Sequence, residues 1–460
     1  MKKRKKRTVF WVELFKANDF AKLIVSICVL FIIIFLKAVI TKTLSFESLL
    51  DIRTFTVVLS AFILNFFTNA ILNAYKKHKE DDSKVTTDYD SLVKMYSLNS
   101  EMLEYSNDCS DEKNITLGKK NTTCLSVGEK DDTVSEKMHK INKKDATNQD
   151  YRTYQIPITN VISIKGKTLE LNNENFRVCY QRPKEIDSLY ADIMNAHAYS
   201  KTYNQLNIRC DKVEEDDSNV TLYLSKTTYY DSLLTNRAMD YPVKGASVRE
   251  RFMYGPYLQP LEDSVLSNHL GYNGFVETSD GKIVFIFRNK YVSISKNTMQ
   301  SSVGASLKVK YACEHGEVTK KGVVYAIKKE IEAELCLKKL DKYDERKDKI
   351  FENLNIGSIL YFYRELVEGG KPQLMFYVKL DVHSDEIRGA YTKGVKKFKK
   401  GDMYCTVDGF KMLFVDKKDL KKIYVTPDGM TINNKFYKSV PTSTGTLVLL
   451  IKYLTDKGEI

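Results

Sequence analysis

Two long, mostly apolar runs stand near the start of the chain, and beyond them the pattern breaks into short alternating stretches. The runs are FAKLIVSICVLFIIIFLKAVI over 20–40 and TFTVVLSAFILNFFTNAILNA over 54–74. A helix needs about 20 mostly apolar residues to cross a bilayer, so each run predicts a transmembrane helix. Basic residues collect ahead of the first run, from Lys2 to Arg7 and at Lys16 and Lys22, and again after the second at Lys76, Lys77 and Lys79. In the short outside loop, 41–53, Lys42 and Arg53 are balanced by Glu47 and Asp51. The positive-inside rule then places both termini in the cytoplasm, with 1–19 as a basic segment whose Trp11 and Phe15 suit the membrane interface.

Residues 75–150 are dense in polar and charged side chains and predict a cytoplasmic linker, with one short helical pattern at Leu92, Met95, Tyr96 and Leu98. From 151 to 270 the chain is β-rich: ITNVISI, KTLELN, FRVCYQ, NQLNIRC and VTLYLS are short strand-like runs separated by Gly, Asn and Asp. The loop ASVRERFMYGPYLQP is broken by Pro and Gly, which predicts arginines projecting from an irregular surface. Residues 271–460 open on a meander with a turn at SDGK, then a helix, VVYAIKKEIEAELCLKKL, whose Val324, Ile327, Ile331 and Leu335 fall at core-facing spacing. GSILYFYRELV and QLMFYVKLDV predict paired strands around EGGKP, and TPDG predicts a turn. LVLLIKYL is too short to span a bilayer and predicts a buried terminal helix.

Composition alters this picture little. The formal charge is +13, of which residues 1–22 carry +6 from eight basic and two acidic side chains, leaving +7 spread over the rest. That remainder is too dilute for DNA binding, whereas the basic start suits anionic lipid of the inner leaflet. The eight cysteines and six histidines are scattered. They form neither a disulfide framework nor a metal-ligand spacing, so no metal and no cofactor is expected.

Strands, a glycine turn and an acidic helix form a layout that resembles the Nudix fold, and KEIEAELCL resembles the second half of the Nudix box. Lys329 takes the arginine slot, Glu330 and Ile331 match, Ala333 replaces the first glutamate of the pair, Glu334 matches the second, Cys336 replaces glycine and Leu337 matches. The first half fails, since its slots fall on His315 and Lys321. A Nudix hydrolase gathers carboxylates on one helix face to hold Mg²⁺ against a diphosphate. The degenerate helix of Lys329, Glu330 and Glu334 has lost part of that set, so hydrolysis is not expected and no residue is assigned a catalytic role.

Taken over its full length, the order of two spans, linker, β-rich segment and damaged box resembles the transmembrane Nudix-like effectors of bacterial cyclic-oligonucleotide (CBASS) antiphage systems. The fold class expected is two amino-terminal transmembrane α-helices plus a cytoplasmic α+β Nudix-like domain with an additional β-rich segment. The resemblance implies a multi-pass protein of the bacterial inner membrane, associated with a cGAS-like nucleotidyltransferase. It also implies a cyclic nucleotide ligand made by that partner, homo-oligomeric assembly of the spans, membrane disruption and death of the infected cell. The alternative is a membrane-tethered Nudix hydrolase of a nucleoside diphosphate derivative.

A cyclic nucleotide calls for guanidinium forks and aromatic faces. Tyr229, Tyr230, Arg237, Arg249 and Arg251 supply both chemistries and are the candidate ligand residues. In the second run Asn65, Asn69 and Asn73 recur every four residues. A polar stripe of that kind suits hydrogen bonding between assembled spans.

Overall fold

Helix α1 (Tyr89–Met95) begins at Asp88, whose carboxylate accepts a hydrogen bond from the Ser91 amide at 3.1 Å, offsetting one of the open donors at a helix start. Its Leu92 and Val93 are buried, with Tyr96 just past its end, and strand β1 (Met102–Ser106) follows with Met102 and Leu103 inside. These residues lie within 75–150, so that stretch is not linker throughout. The computed structural model describes residues 85–96, 101–107, 115–117, 153–196, 203–243, 245–288, 295, 297–396 and 409–460, all within one compact unit.

The remaining strands of the main sheet are β2 (Ile115–Leu117), β3 (Thr153–Ser163), β4 (Gly271–Glu277), β5 (Lys282–Arg288), β6 (Met299–Gln300), β7 (Val303–Ser306), β8 (Ile359–Glu365), β9 (Lys371–Lys379) and β10 (Gly409–Asp416). Their order across the ten-stranded sheet is β6-β5-β4-β9-β8-β3-β1-β2, with β7 paired to β4 and β10 to β5. All contacts are antiparallel except β4 with β9, where Gly271–Glu277 runs alongside Gln373–Lys379. A parallel neighbour requires a long crossover, and the chain between β4 and β9 supplies it as helix α2 (Lys320–Glu334) and its flanks.

Alternation along the strands sends apolar side chains to both faces. One face buries Tyr272, Val276, Phe362, Leu374 and Phe376 beneath α2, through Val323, Ala326, Ile327, Ile331 and Leu335. Of the four core positions expected on this helix, Val324 is only half-buried and Val323 takes the inner place. The opposite face buries Phe275, Phe285, Tyr361 and Tyr363 beneath helix α3 (Pro441–Asp456), the expected terminal helix, through Leu447, Val448, Leu450 and Leu454. Smaller sheets sit beside this sandwich, one of them made of Thr168–Asn172, Asn219–Thr228 and Leu206–Glu215, with the central strand Asn219–Thr228 pairing with both others. Because β3 lies between β8 and β1, residues 151–270 and 271–460 share one sheet.

The expected fold class is corrected here. The protein is a mixed α/β structure with several sheets, and among the described residues no helix is long and apolar enough to cross a membrane. A multi-pass inner-membrane protein is therefore not supported. The runs 20–40 and 54–74, with Asn65, Asn69 and Asn73, lie outside the described residues.

The loop expected at 246–260 is also corrected. Val248–Phe252 is a short helix opened by a capping box, in which Ser247 and Glu250 bond each other's backbone amides. Its Arg249 is buried rather than projecting.

Candidate functional site

Thr319 caps α2, its hydroxyl accepting from the Gly322 amide at 2.9 Å. Gly322 lets the helix start lie against the turn before it, since a β-carbon there would fall 2.1 Å from the Ala312 carbonyl oxygen. This close approach brings the short helix Val309–Ala312 onto α2. Tyr311 and Tyr325 consequently meet edge to face, ring centroids 6.1 Å apart. Tyr325 is 45% exposed, and Tyr203 nearby is 52% exposed.

Three ammonium groups surround these rings. Lys310 lies 4.6 Å and Lys308 5.9 Å from the Tyr311 ring centre, and Lys329 lies 5.1 Å from that of Tyr325. Each distance is within cation–π range. Lys310 is exposed, whereas Lys308 is largely covered and donates to Glu330 at 2.6 Å. Burial pulls the Lys308 ammonium down, but the charge and hydrogen bond of Glu330 outweigh it and hold the group above its ordinary value. Lys329 is likewise held above its ordinary value, burial being offset by its 3.0 Å bond to Glu332.

The carboxylates of α2 are thus already occupied. Glu330 is engaged by Lys308, and Glu332, buried, accepts from Lys329 and from the Tyr343 hydroxyl. Glu334 is buried, while Ala333 points to solvent where the Nudix box carries a glutamate. Among the described residues no group of three acidic, histidine or cysteine side chains is placed to hold a metal ion. Cys336, in the glycine slot of the box, has φ +56°, the left-handed region that favours glycine.

The five expected ligand residues do not form one site. Arg249 is 2% exposed and serves the backbone, donating to the carbonyls of Leu366 at 2.8 Å and Val367 at 2.7 Å and pairing with Asp240 at 3.1 Å. Arg251 pairs with Glu185 at 3.2 Å on the surface. Tyr229 and Arg237 are brought together, the guanidinium donating to the phenol oxygen at 2.8 Å and lying 5.2 Å from the ring centre. Their place is interior, because the Arg237 side chain is only 9% exposed. Tyr230 is half-buried, with its amide bonded to Asn204 at 3.0 Å.

Sequence reasoning reached Lys329 and Glu330 but missed Tyr203, Lys308, Lys310, Tyr311 and Tyr325. Two signals were present: the run KVKY at 308–311, and the four-residue spacing of Tyr325 and Lys329, which puts both on one helix face. No protein-family model matches this chain, and no curated protein matches it in sequence.

Proposed function

We propose that this protein is a nucleotide-sensing effector whose α2 surface binds a cyclic nucleotide without hydrolysing it. The observation that carries the reading is the 2.6 Å ion pair between Lys308 and Glu330. A fixed ammonium stands where a hydrolase of the resembled kind would need a divalent cation, and like charges exclude one another at that distance. The same ammonium, with Lys310 and Lys329, suits phosphate oxygens. Exposed Tyr203 and Tyr325 offer faces on which bases stack, a contact worth about 1–3 kcal/mol per base. The resemblance adds a source and a consequence: a partner nucleotidyltransferase makes the messenger, and its capture drives self-association and death of the infected cell.

The test is calorimetric titration of the purified full chain with a panel of cyclic di- and trinucleotides, alongside Tyr325→Ala and Lys310→Ala. Binding that weakens at least tenfold in either variant, with no magnesium-dependent release of phosphate from nucleoside diphosphate derivatives, is the expected outcome. Hydrolysis that disappears in the Glu330→Gln, Glu334→Gln double variant would establish the enzyme instead.

A further inference from the structure

A second polar cluster lies inside the fold, behind the segment that carries Lys308. Three extended segments are stitched together there: the Leu270 amide donates to Ile208 at 2.8 Å, Leu307 to Leu270 at 2.8 Å and Ile208 to Leu307 at 2.9 Å. Their neighbours Asn207, Asn268 and His269 are fully buried. Ser232, also fully buried, and Arg237 flank Asn236 in the chain, and Arg237 pairs with Glu368 of the β8–β9 turn, as does Lys371 at the start of β9. Asn236 ties the halves, its amide nitrogen donating to Asn268 Oδ1 at 3.1 Å and to the Glu368 carbonyl at 2.9 Å.

Among the described residues, several buried atoms here find no hydrogen-bond partner: Asn207 Nδ2 and Oδ1, Asn268 Nδ2, His269 Nδ1, Ser232 Oγ, Gln205 Oε1 and Arg237 Nε. Leaving one such atom dry costs roughly 1–3 kcal/mol. Seven together would consume most of the stability of an ordinary domain. Buried polar atoms are normally satisfied by protein, water or a bound guest.

The donor count says which guest. Asn207 Nδ2, Asn268 Nδ2 and Arg237 Nε carry protons by nature. His269 Nε2 lies 3.0 Å from the Ser306 hydroxyl; when that hydroxyl donates, the ring proton sits on Nδ1. Ser232 can donate as well, which leaves Asn207 Oδ1 and Gln205 Oε1 as the acceptors. The charge points the same way. Lys371 lies 2.8 Å from Glu368 and Arg237 3.7 Å from it. The buried Glu365 carboxyl, pushed up to about 7 by burial and by Glu368, acts on both cations as well, so the cluster carries one net positive charge while Glu365 is protonated. Burial and these two cations hold His269 neutral.

We propose that Arg237, Asn207, Asn268 and His269 bind a small monovalent anion of the size of chloride or nitrate inside the fold. Asn207 is paired through its backbone with Lys308, so the cluster adjoins the α2 surface from within. It stands against the β8–β9 turn, whose Leu366 and Val367 carbonyls are held by buried Arg249 and whose Glu368 carbonyl is held by Asn236, so the guest would brace that turn further.

The test is the melting temperature of the full chain in sodium chloride, bromide and nitrate against sodium gluconate at equal ionic strength, with Arg237→Gln and Asn207→Leu. A saturable rise of about 4 °C in the three small-anion salts, absent in gluconate and absent in either folded variant, is expected. Equal melting temperatures in all four salts would overturn the proposal. So would an Asn207→Leu protein that keeps the full response, which would leave only trapped water at these atoms. If Arg237→Gln does not fold, the Asn207→Leu result decides. Bromide-soaked crystals give a second reading: an anomalous peak beside Asn207 and Arg237 supports the site, and peaks only elsewhere refute it.

Discussion

Replacing Arg249 by methionine separates a structural arginine from a ligand-binding one. The side chain is 2% exposed, and its guanidinium meets the Leu366 and Val367 carbonyls at 2.8 and 2.7 Å and Asp240 at 3.1 Å. Methionine fills much of the aliphatic volume, so the cavity contribution is small. Two carbonyl oxygens would be left inside without donors, at roughly 1–3 kcal/mol each. Asp240, 29% exposed on its side chain, is partly rehydrated when its partner goes. The expected loss is about 3–5 kcal/mol, the range for breaking a buried pair. Urea unfolding of the full chain should show a lower midpoint at unchanged slope. Arg251→Met is the control. Its pair with Glu185 is 30% and 47% exposed, and a pair of that exposure is worth about 0.5 kcal/mol. An Arg249→Met protein with an unshifted midpoint and lost nucleotide binding would refute the reasoning and return Arg249 to a binding site.

Three further outcomes are expected. Glu330→Gln removes the negative charge held against Lys308 and should tighten cyclic-nucleotide binding by about tenfold, or about 1.4 kcal/mol, in the same titration; weaker binding would argue that the ion pair positions Lys308 for the ligand. Glu365 is pushed up to about 7 by burial and by the charge of Glu368. Its folded value lies above its unfolded one, so the stability it contributes is complete at low pH and is lost as pH rises through about 7. Glu365→Gln should flatten that loss in urea melts at pH 5 and pH 8. A β-carbon at Gly274 would fall 2.4 Å from both the Phe376 carbonyl oxygen and its ring. Gly274→Ala should thus cost about 2 kcal/mol or more, measured by thermal melting, and an unchanged melting temperature would show that the β4–β9 pair can spread.

Local signals carried much of the fold. SDGK, EGGKP and TPDG mark real turns, between β4 and β5, between β8 and β9, and between Tyr424–Thr426 and Gly429–Ile432. Turn residues act on their immediate neighbours and need no tertiary context. The acidic helix and the buried terminal helix were legible for the same reason, because a 3.6-residue period or a continuous apolar run is written over a single segment. The candidate site was legible only in part. Glu330 stood out as a box residue, but its partner Lys308 lies 22 positions earlier, and nothing local ties the two.

The sequence by itself therefore determined which segments bend, pair and bury, and that the α2 carboxylate set is incomplete. Tertiary structure alone decided which charges face inward. Arg249 and Arg237 read as exposed ligand arginines because charged residues are mostly on surfaces; the carbonyls of a turn more than a hundred residues away and the carboxylate of Glu368 draw them inside. The joining of β3 to β8 and the parallel pairing of β4 with β9 were equally beyond reach. Strand partners that far apart in the chain are chosen by which faces can be buried together, a property of the assembled sheet and of no single run.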